Sequence, residues 1–416
     1  MYREIKRCRI CGNGRLMPII ALGQQYLTGV FPRSREEKLT AGPLELLKCH
    51  GGGREDVCGL VQLKQSYQLE EMYGANYGYR SGLNRSMVEH LQKKVSRILK
   101  MVSPDASDLI VDIGSNDSTL LQAYPKGRYR LAGIDPTGVK FREYYPKHIQ
   151  LVPEFFSSKV FKNVFGGKKA KIITSIAMFY DIEDPLAFMK QIYEVLHDDG
   201  AWVFEQSYMP TMLDMNAYDT ICHEHLEYYR LKQIKYMADR AGFKIVDIEF
   251  NDVNGGSFSV TVAKVGSSFP ECTALIRRVM LREQKMGLDL PAPYARFRQR
   301  VYKHRDVLRE YLHRIRSEKK VVLGYGASTK GNVILQFCGI TKNDIPFIAE
   351  INEDKFGSYT PGTWIPIISE REAKAMRPDY FMVLPWHFRE NILAREKAFL
   401  RSGGKLLFPL PRITLQ

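Results

Sequence analysis

The chain has 416 residues, 44% of them hydrophobic and 26% charged, a globular balance for two or three domains that excludes wholesale disorder. No apolar run approaches the roughly 18–20 residues that span a bilayer, and the opening MYREIKRCRICGNG lacks the apolar stretch of a secretory signal, so a cytoplasmic protein with no membrane partner is expected. A net charge of +15 invites phosphate-bearing partners without choosing among them, and seven unevenly spaced cysteines without a signal argue against a disulfide framework.

Residues 1–70 hold four of the seven cysteines and little helical periodicity. Cys8-Arg9-Ile10-Cys11-Gly12 is a C-x2-C-G knuckle, and Cys49 and Cys58 follow. Four thiolates suit tetrahedral Zn2+, so Cys8, Cys11, Cys49 and Cys58 are the expected ligands of a structural zinc. The second pair is separated by the polar, glycine-rich HGGGREDV, which reads as a loop, and His50 inside it is a rival fourth ligand. A closed site of this kind leaves no coordination position for chemistry. Beyond it, Tyr73, Tyr77 and Tyr79 precede Arg80-Ser81-Gly82, either as phenols that could lie over a sugar or as an aromatic linker.

Val88, Leu91, Val95, Ile98 and Leu99 recur at helical spacing and predict a helix over 86–103. Strands are expected at 109–113, 131–134, 171–175 and 201–205, with a helix at 185–197 that Asp184 caps and Pro185 opens. Such alternation predicts a parallel sheet covered on both faces. The first strand ends in Asp112-Ile113-Gly114-Ser115-Asn116-Asp117-Ser118, read as a loop leading into a helix, and the second ends at Asp135, placed to accept ribose hydroxyls. The dinucleotide pattern G-x-G-x-x-G is absent, because Asn116 and Thr119 stand where its later glycines would fall. A pyrophosphate needs those glycines and S-adenosylmethionine does not, so the layout favours the methyl donor over NAD. Glu154-Phe155-Phe156 offers an acid and an aromatic for adenine.

Residues 216–229, NAYDTICHEHLEYY, gather His223, Glu224 and His225 with Tyr228 and Tyr229. A histidine is the natural proton acceptor near neutral pH, and a neighbouring carboxylate can orient it. The two histidines are two residues apart and cannot share a helical face, so this is not a zinc-protease motif. Strands at 244–249 and 257–264 flank an Asn254-Gly255-Gly256 turn, and 271–318 reads as a basic helical connector. A second alternating region begins at 320, with a helix at 330–338 and strands at 346–350 and 379–384. Its loop GYGASTKGN brings Gly326, Ser328, Thr329 and Lys330 to a helix start suited to phosphate, though not at Walker spacing. Trp386-His387-Phe388-Arg389 could cover a base or add charge. The expected division is 1–70, 71–268, 269–318 and 319–416, all within an α/β class.

In order, the C-x2-C-G knuckle with Cys49, Cys58 and GLVQL, the Tyr77–Ser81 stretch, VDIGSND, DTICHEH, NGGS, GYGASTKGN and YTPGTWIPI resemble the sugar C-methyltransferases of deoxysugar biosynthesis over nearly the whole chain. The resemblance implies a small zinc-binding amino domain, a central Rossmann-type S-adenosylmethionine domain and a smaller carboxy-terminal α/β domain that helps hold a nucleotide-diphosphate sugar. It implies His225 as base, with Glu224 beside it and Tyr77 or Tyr79 as the contributed tyrosine; His223 is expected as a further donor to the enolate oxygen. From the residues themselves, Asp112, Gly114, Asn116, Asp117, Asp135 and Phe155 are expected to hold the methyl donor, and Asn254, Gly326, Ser328, Lys330 and Arg389 the sugar nucleotide. The expected reaction is methylation of a 4-keto-deoxysugar at C3 through an enolate. Two departures stand out: Cys222 replaces a tyrosine usual before H-E-H, and Ser118 replaces a glycine usual in the donor loop. The rival readings are a zinc-containing RNA methyltransferase and a non-catalytic nucleotide-sugar-binding protein. Against the first, the basic residues are spread and no N/D-P-P-Y/F loop is present, so nucleic acid is not expected as a partner. The oligomeric state is not legible in the sequence.

Overall fold

The computed structural model describes residues 2–52, 54, 56–72 and 79–416, with backbone alone at Leu69 and Glu70. The amino-terminal segment forms β1 (Tyr2–Glu4), β2 (Leu16–Tyr26), β3 (Ala41–Cys49), β4 (Val61–Leu63) and β5 (Gln65–Tyr67). β1 and β5 make a two-stranded ribbon, while β2, β3 and β4 run as an antiparallel sheet. Antiparallel pairing sets these elements, in part between β1 and β5 at opposite ends of the segment, which explains the missing helical periodicity.

The central sheet comprises β6 (Leu109–Ile113), β7 (Arg130–Ile134), β8 (Ile149–Val152), β9 (Ala170–Ile176) and β10 (Leu196–Ser207). After β11 (Glu227–Tyr228) come β12 (Phe243–Asn251) and β13 (Ser257–Lys264). The order is β12-β13-β10-β9-β6-β7-β8, parallel except that β13 lies antiparallel between β10 and β12. Every residue of β6 is buried, as a strand covered on both faces requires. The helix Arg85–Val102, capped by Asn84, covers one face with Leu91, Val95 and Ile98. Asp184 caps Pro185–Val195 as its sequence predicts, accepting from Ala187 N at 2.9 Å. That helix yields to β10 at Leu196, earlier than expected, with an irregular register before Ala201.

Two features depart from the reading of the sequence. No α-helix follows the loop after β6; the chain takes only a 3-10 turn at Leu121–Ala123. Asn116 and Ser118 have φ of 50° and 62°, and Asp117 binds Thr119 N and Oγ1, so the backbone curls before a helix can start. The second feature is β11, which leaves the central region to join the amino-terminal sheet in the order β11-β4-β3-β2. Leu226 N donates to Tyr180 O while Leu226 O accepts from Leu63 N, so this segment sutures the two units.

The connector forms helices Thr273–Lys285 and Ala292–Ser317. The longer one buries Tyr294, Phe297, Val301, Leu308, Leu312 and Ile315 in a core shared by the amino-terminal sheet and the last domain. That domain contains β14 (Val322–Tyr325), β15 (Ile348–Glu350), β16 (Ile367–Ser369), β17 (Tyr380–Val383), β18 (Lys405–Phe408) and β19 (Thr414–Leu415). Their order is β16-β15-β14-β17-β18-β19, parallel but for β19. Among the described residues no helix is long and apolar enough to cross a membrane.

Candidate functional site

Cys8, Cys11, Cys49 and Cys58 converge so that their sulfurs all lie within 4.8 Å of one another. The Cys8–Cys58 and Cys11–Cys49 pairs are each 3.5 Å apart, close to the about 3.8 Å edge of a tetrahedron with Zn–S near 2.3 Å. The knuckle is closed by Gly12 N on Cys8 O and Cys8 N on Asn13 O, and Asn13 Nδ2 reaches Cys49 Sγ at 3.4 Å. His50 is not part of the cluster, so the thiol set is complete without it. Four convergent thiols fit zinc and leave no open position.

A cavity of about 1330 Å³ lies at the carboxyl ends of β6, β7, β9 and β10 and extends to the loop after β14. At one end its wall contains Asp112, Gly114, Asn116, Asp135 and Phe155. Asp135 Oδ2 accepts from Asn116 N at 2.7 Å and its Oδ1 from Thr137 N and Oγ1, so the carboxylate also shapes the loop it faces. Asp112 accepts from Thr174 Oγ1 at 2.6 Å, and burial pushes its carboxyl up to about 7. Phe155 is 47% exposed at the rim, free to close over a flat ring. A roomy, partly apolar recess with an acid at the second strand end fits S-adenosylmethionine. Asp117 is a correction: its Oδ2 accepts from Gly82 N and it is not in the wall, so it holds the approach segment instead.

His225 and Glu224 line the middle of the cavity. The His225 Nδ1 lies 2.8 Å from Thr220 O. A carbonyl only accepts, so Nδ1 carries the proton and Nε2 keeps its lone pair. Burial, with Lys330 second, lowers the imidazole to about 3, against the opposing Thr220 bond. The Tyr180 ring lies 4.3 Å from it, centroid to centroid. Glu224 meets Thr28 Oγ1 at 3.5 Å, and burial raises its carboxyl. A Cβ on Gly29 would come within 2.4 Å of Glu224 Oε1, so the amino-terminal loop needs glycine there. His223 is a second correction. It is fully buried against the Tyr67 ring, 4.6 Å away, and is absent from the wall. Cys222–His225 forms a turn closed by His225 N on Cys222 O, and this turn sends the two rings into different surroundings. Cys222 is fully buried too, so no open place awaits the usual tyrosine. Tyr79 lines the rim, whereas Tyr73 and Tyr77 lie outside the described residues.

The far end is formed by Asn254, Gly326, Ser328 and Lys330. Ser328 caps the helix Thr329–Phe337 by accepting from Gly331 N at 3.0 Å. Gly326 has φ of 83°, and a Cβ there would lie 2.7 Å from Pro385 Cδ. Lys330 Nζ donates to Asn254 O at 2.8 Å, bringing its charge toward the base as well as the helix start. Burial lowers the Lys330 ammonium and Asp219 opposes that. Arg389 is a third correction: it binds Thr414 Oγ1 and lies over the Phe408 ring, outside the wall.

Several wall residues carry no sequence signal. Glu205, at the end of β10, binds His90 at 2.6 Å and Lys94 at 2.8 Å. Burial works against its charge, but those two partners hold it below the usual carboxylate value. Glu350 accepts from Ala327 N at 2.8 Å, a pairing visible only once β14 and β15 lie side by side. His387, from the Trp386–Arg389 stretch already marked in the sequence, enters from the turn after β17.

Three family profiles match consecutive stretches: a zinc binding domain over 8–73, a methyltransferase domain over 86–248 and a C-methyltransferase C-terminal domain over 252–411. The C-methyltransferase NovU of Streptomyces niveus is 27% identical over 414 residues, spanning 99% of this chain and 97% of that protein. A solved S-adenosylmethionine-dependent methyltransferase from Clostridium acetobutylicum is 12% identical, with a TM-score of 0.34 over 43% of this chain and 92% of its own. The CcbJ methyltransferase from Streptomyces caelestis gives 11% and 0.33 over 42% and 89%. With its four-thiol zinc site, methyl-donor domain and C-methyltransferase carboxy-terminal domain in this order, the chain is a zinc-containing C-methyltransferase that uses S-adenosylmethionine.

Proposed function

We propose that the enzyme methylates a nucleoside-diphosphate-linked 4-keto-deoxysugar at C3, with His225 as the base. The supporting observation is the Nδ1 bond to Thr220 O, which leaves a lone pair on Nε2 in a wall between the donor end and the carboxy-terminal glycine loop. A sugar C–H is too weak an acid unless a ketone adjoins it, so the substrate must bring that ketone. His225 Nε2 then accepts the C3 proton. The enolate oxygen needs donors, a role for Tyr79, Tyr77 or the Lys330 ammonium. When bound, S-adenosylmethionine supplies the electrophilic sulfonium methyl. The low His225 pKa keeps the ring neutral, and a diphosphate arriving near Lys330 would offset that charge and strengthen the base.

Asp112, Gly114, Asn116, Asp135 and Phe155 are proposed to hold the methyl donor, and Asn254, Gly326, Ser328 and Lys330 the sugar nucleotide. Glu224 braces the amino-terminal loop against the base. The working division remains 1–70, 71–268, 269–318 and 319–416, although β11 pairs outside its segment. A cytoplasmic setting is proposed because the zinc thiols must stay reduced.

His225→Asn should bind both ligands yet lose roughly 10²–10⁴-fold in turnover. It should also fail to exchange the C3 hydrogen with solvent deuterium. Native-rate methylation by this variant would move the base elsewhere, and product NMR would distinguish C3 from C5, the other carbon that the ketone acidifies.

A further inference from the structure

Resting on the proposed substrate, we infer that Gln206 reads the sugar's hydroxyl–ketone edge through its carboxamide. Gln206 follows Glu205 near the end of β10 and lines the cavity, yet is only 1% exposed. Among the described residues neither its Oε1 nor its Nε2 meets a hydrogen-bond partner, although both are buried. A buried amide with both ends unpaired is rare in folded proteins and calls for an explanation. Packing does not supply one, because an apolar side chain of similar size would fill the same space without stranded polar atoms.

The neighbours sharpen the assignment. Side chains alternate along a strand, so Glu205 and Gln206 leave β10 on opposite faces. Glu205 turns to His90 and Lys94 on the helix Arg85–Val102 and has its partners. Gln206 takes the face of Phe204 and Trp202, where Phe179 and Tyr229 pack and Tyr180 approaches His225. It therefore belongs to the side of the cavity that carries the base. The charged parts of both ligands have other candidate partners: Lys330 and the helix start for the diphosphate, Asp135 for the donor's ribose. What the middle lacks is a neutral group with one donor and one acceptor side by side. A vicinal hydroxyl and carbonyl, as at C3 and C4 of a 4-keto sugar, present the complementary pair. Nε2–H would donate to the C4 oxygen and Oε1 accept from the C3 hydroxyl. The carboxamide would thus present C3 to His225 and keep a donor on the oxygen as enolate charge develops.

The test compares Gln206→Leu, Gln206→Glu and wild type, using thymidine diphosphate 4-keto-6-deoxyglucose and its 3-deoxy analogue as probes. Zinc content and S-adenosylmethionine affinity serve as checks on folding. Gln206→Leu should lose roughly 10–100-fold in kcat/KM on the hydroxylated probe, with S-adenosylmethionine affinity and zinc unchanged. On deuterium exchange at C3 of the 3-deoxy analogue, whose C3 hydrogens still adjoin the ketone but whose hydroxyl contact is gone, Leu should cost distinctly less relative to wild type. Gln206→Glu, which replaces the donor with an anion, should lower kcat more than Leu does. Unchanged kinetics in Gln206→Leu while wild type turns over would overturn the role of Gln206 alone. A selective loss of S-adenosylmethionine affinity would overturn it too, assigning the amide to the methyl donor. Should wild type neither exchange nor methylate either probe, the substrate proposal falls and this inference with it.

Discussion

The loops after β6 and β14 solve one topological problem in two ways. Each follows the first strand of a parallel sheet, and each is pinned from the neighbouring strand end by a carboxylate that accepts a loop N–H. Asp135 takes Asn116 N, and Glu350 takes Ala327 N. They then diverge. The β14 loop runs directly into the nine-residue helix Thr329–Phe337, whose N-terminus carries partial positive charge, with Lys330 in its first turn. The β6 loop runs into a 3-10 turn and offers no such pole. A diphosphate is favoured by the first arrangement, while a sulfonium cation needs no helix dipole and would gain nothing from one. The same scaffold thereby suits ligands of opposite charge.

A crossed pair of substitutions tests this contrast most severely. Asp135→Ala should weaken S-adenosylmethionine by about 10²-fold and spare the sugar nucleotide, with Glu350→Ala doing the reverse, both read by calorimetry. Equal losses of one ligand in both variants would break the comparison. Gly326→Ala adds a strained φ and a clash with Pro385, at about 1–3 kcal/mol. It should raise the KM for the sugar nucleotide about tenfold and lower the melting temperature, without changing S-adenosylmethionine affinity.

Lys330→Met sharpens the electrostatic half. Removing an ammonium near His225 makes its imidazolium less costly, so the ring's pKa rises from about 3. Because the base works when neutral, the acid limb of kcat/KM should move to higher pH. A limb that stays in place would separate Lys330 from the base. The smallest effect is expected at Ser118→Gly. Relief of the positive φ is offset by the flexibility of glycine and by loss of the Ser118 bond to Tyr144 O, leaving a stability change within about 1 kcal/mol by denaturation.

Legibility in the sequence followed the range of the interactions. Cys8 and Cys11 declare themselves by spacing, and Asp184-Pro185 by cap chemistry, because both depend on adjacent residues. The strand-end acid Asp135 is found by periodicity. Glu350 performs a matching bond unnoticed, since nothing local marks its partner. The helix expected after β6 failed because two non-glycine residues adopt positive φ there, a conformation that tertiary bonds to Asp135 and Tyr144 sustain. His223 and His225 look equivalent in sequence, and only the turn at Cys222–His225 separates the buried ring from the one on the wall. Gln206 is an ordinary strand residue until its unpaired amide is seen.

The pairing of β11 with β4 bears on how the protein is made. The amino-terminal sheet includes residues 227–228, so a nascent chain that has already captured zinc still exposes the unpaired edge of β4 until the central domain emerges. Metal capture therefore starts the amino-terminal unit, but synthesis of the segment bearing His225 completes it, and the ribosome delivers the two events in that order.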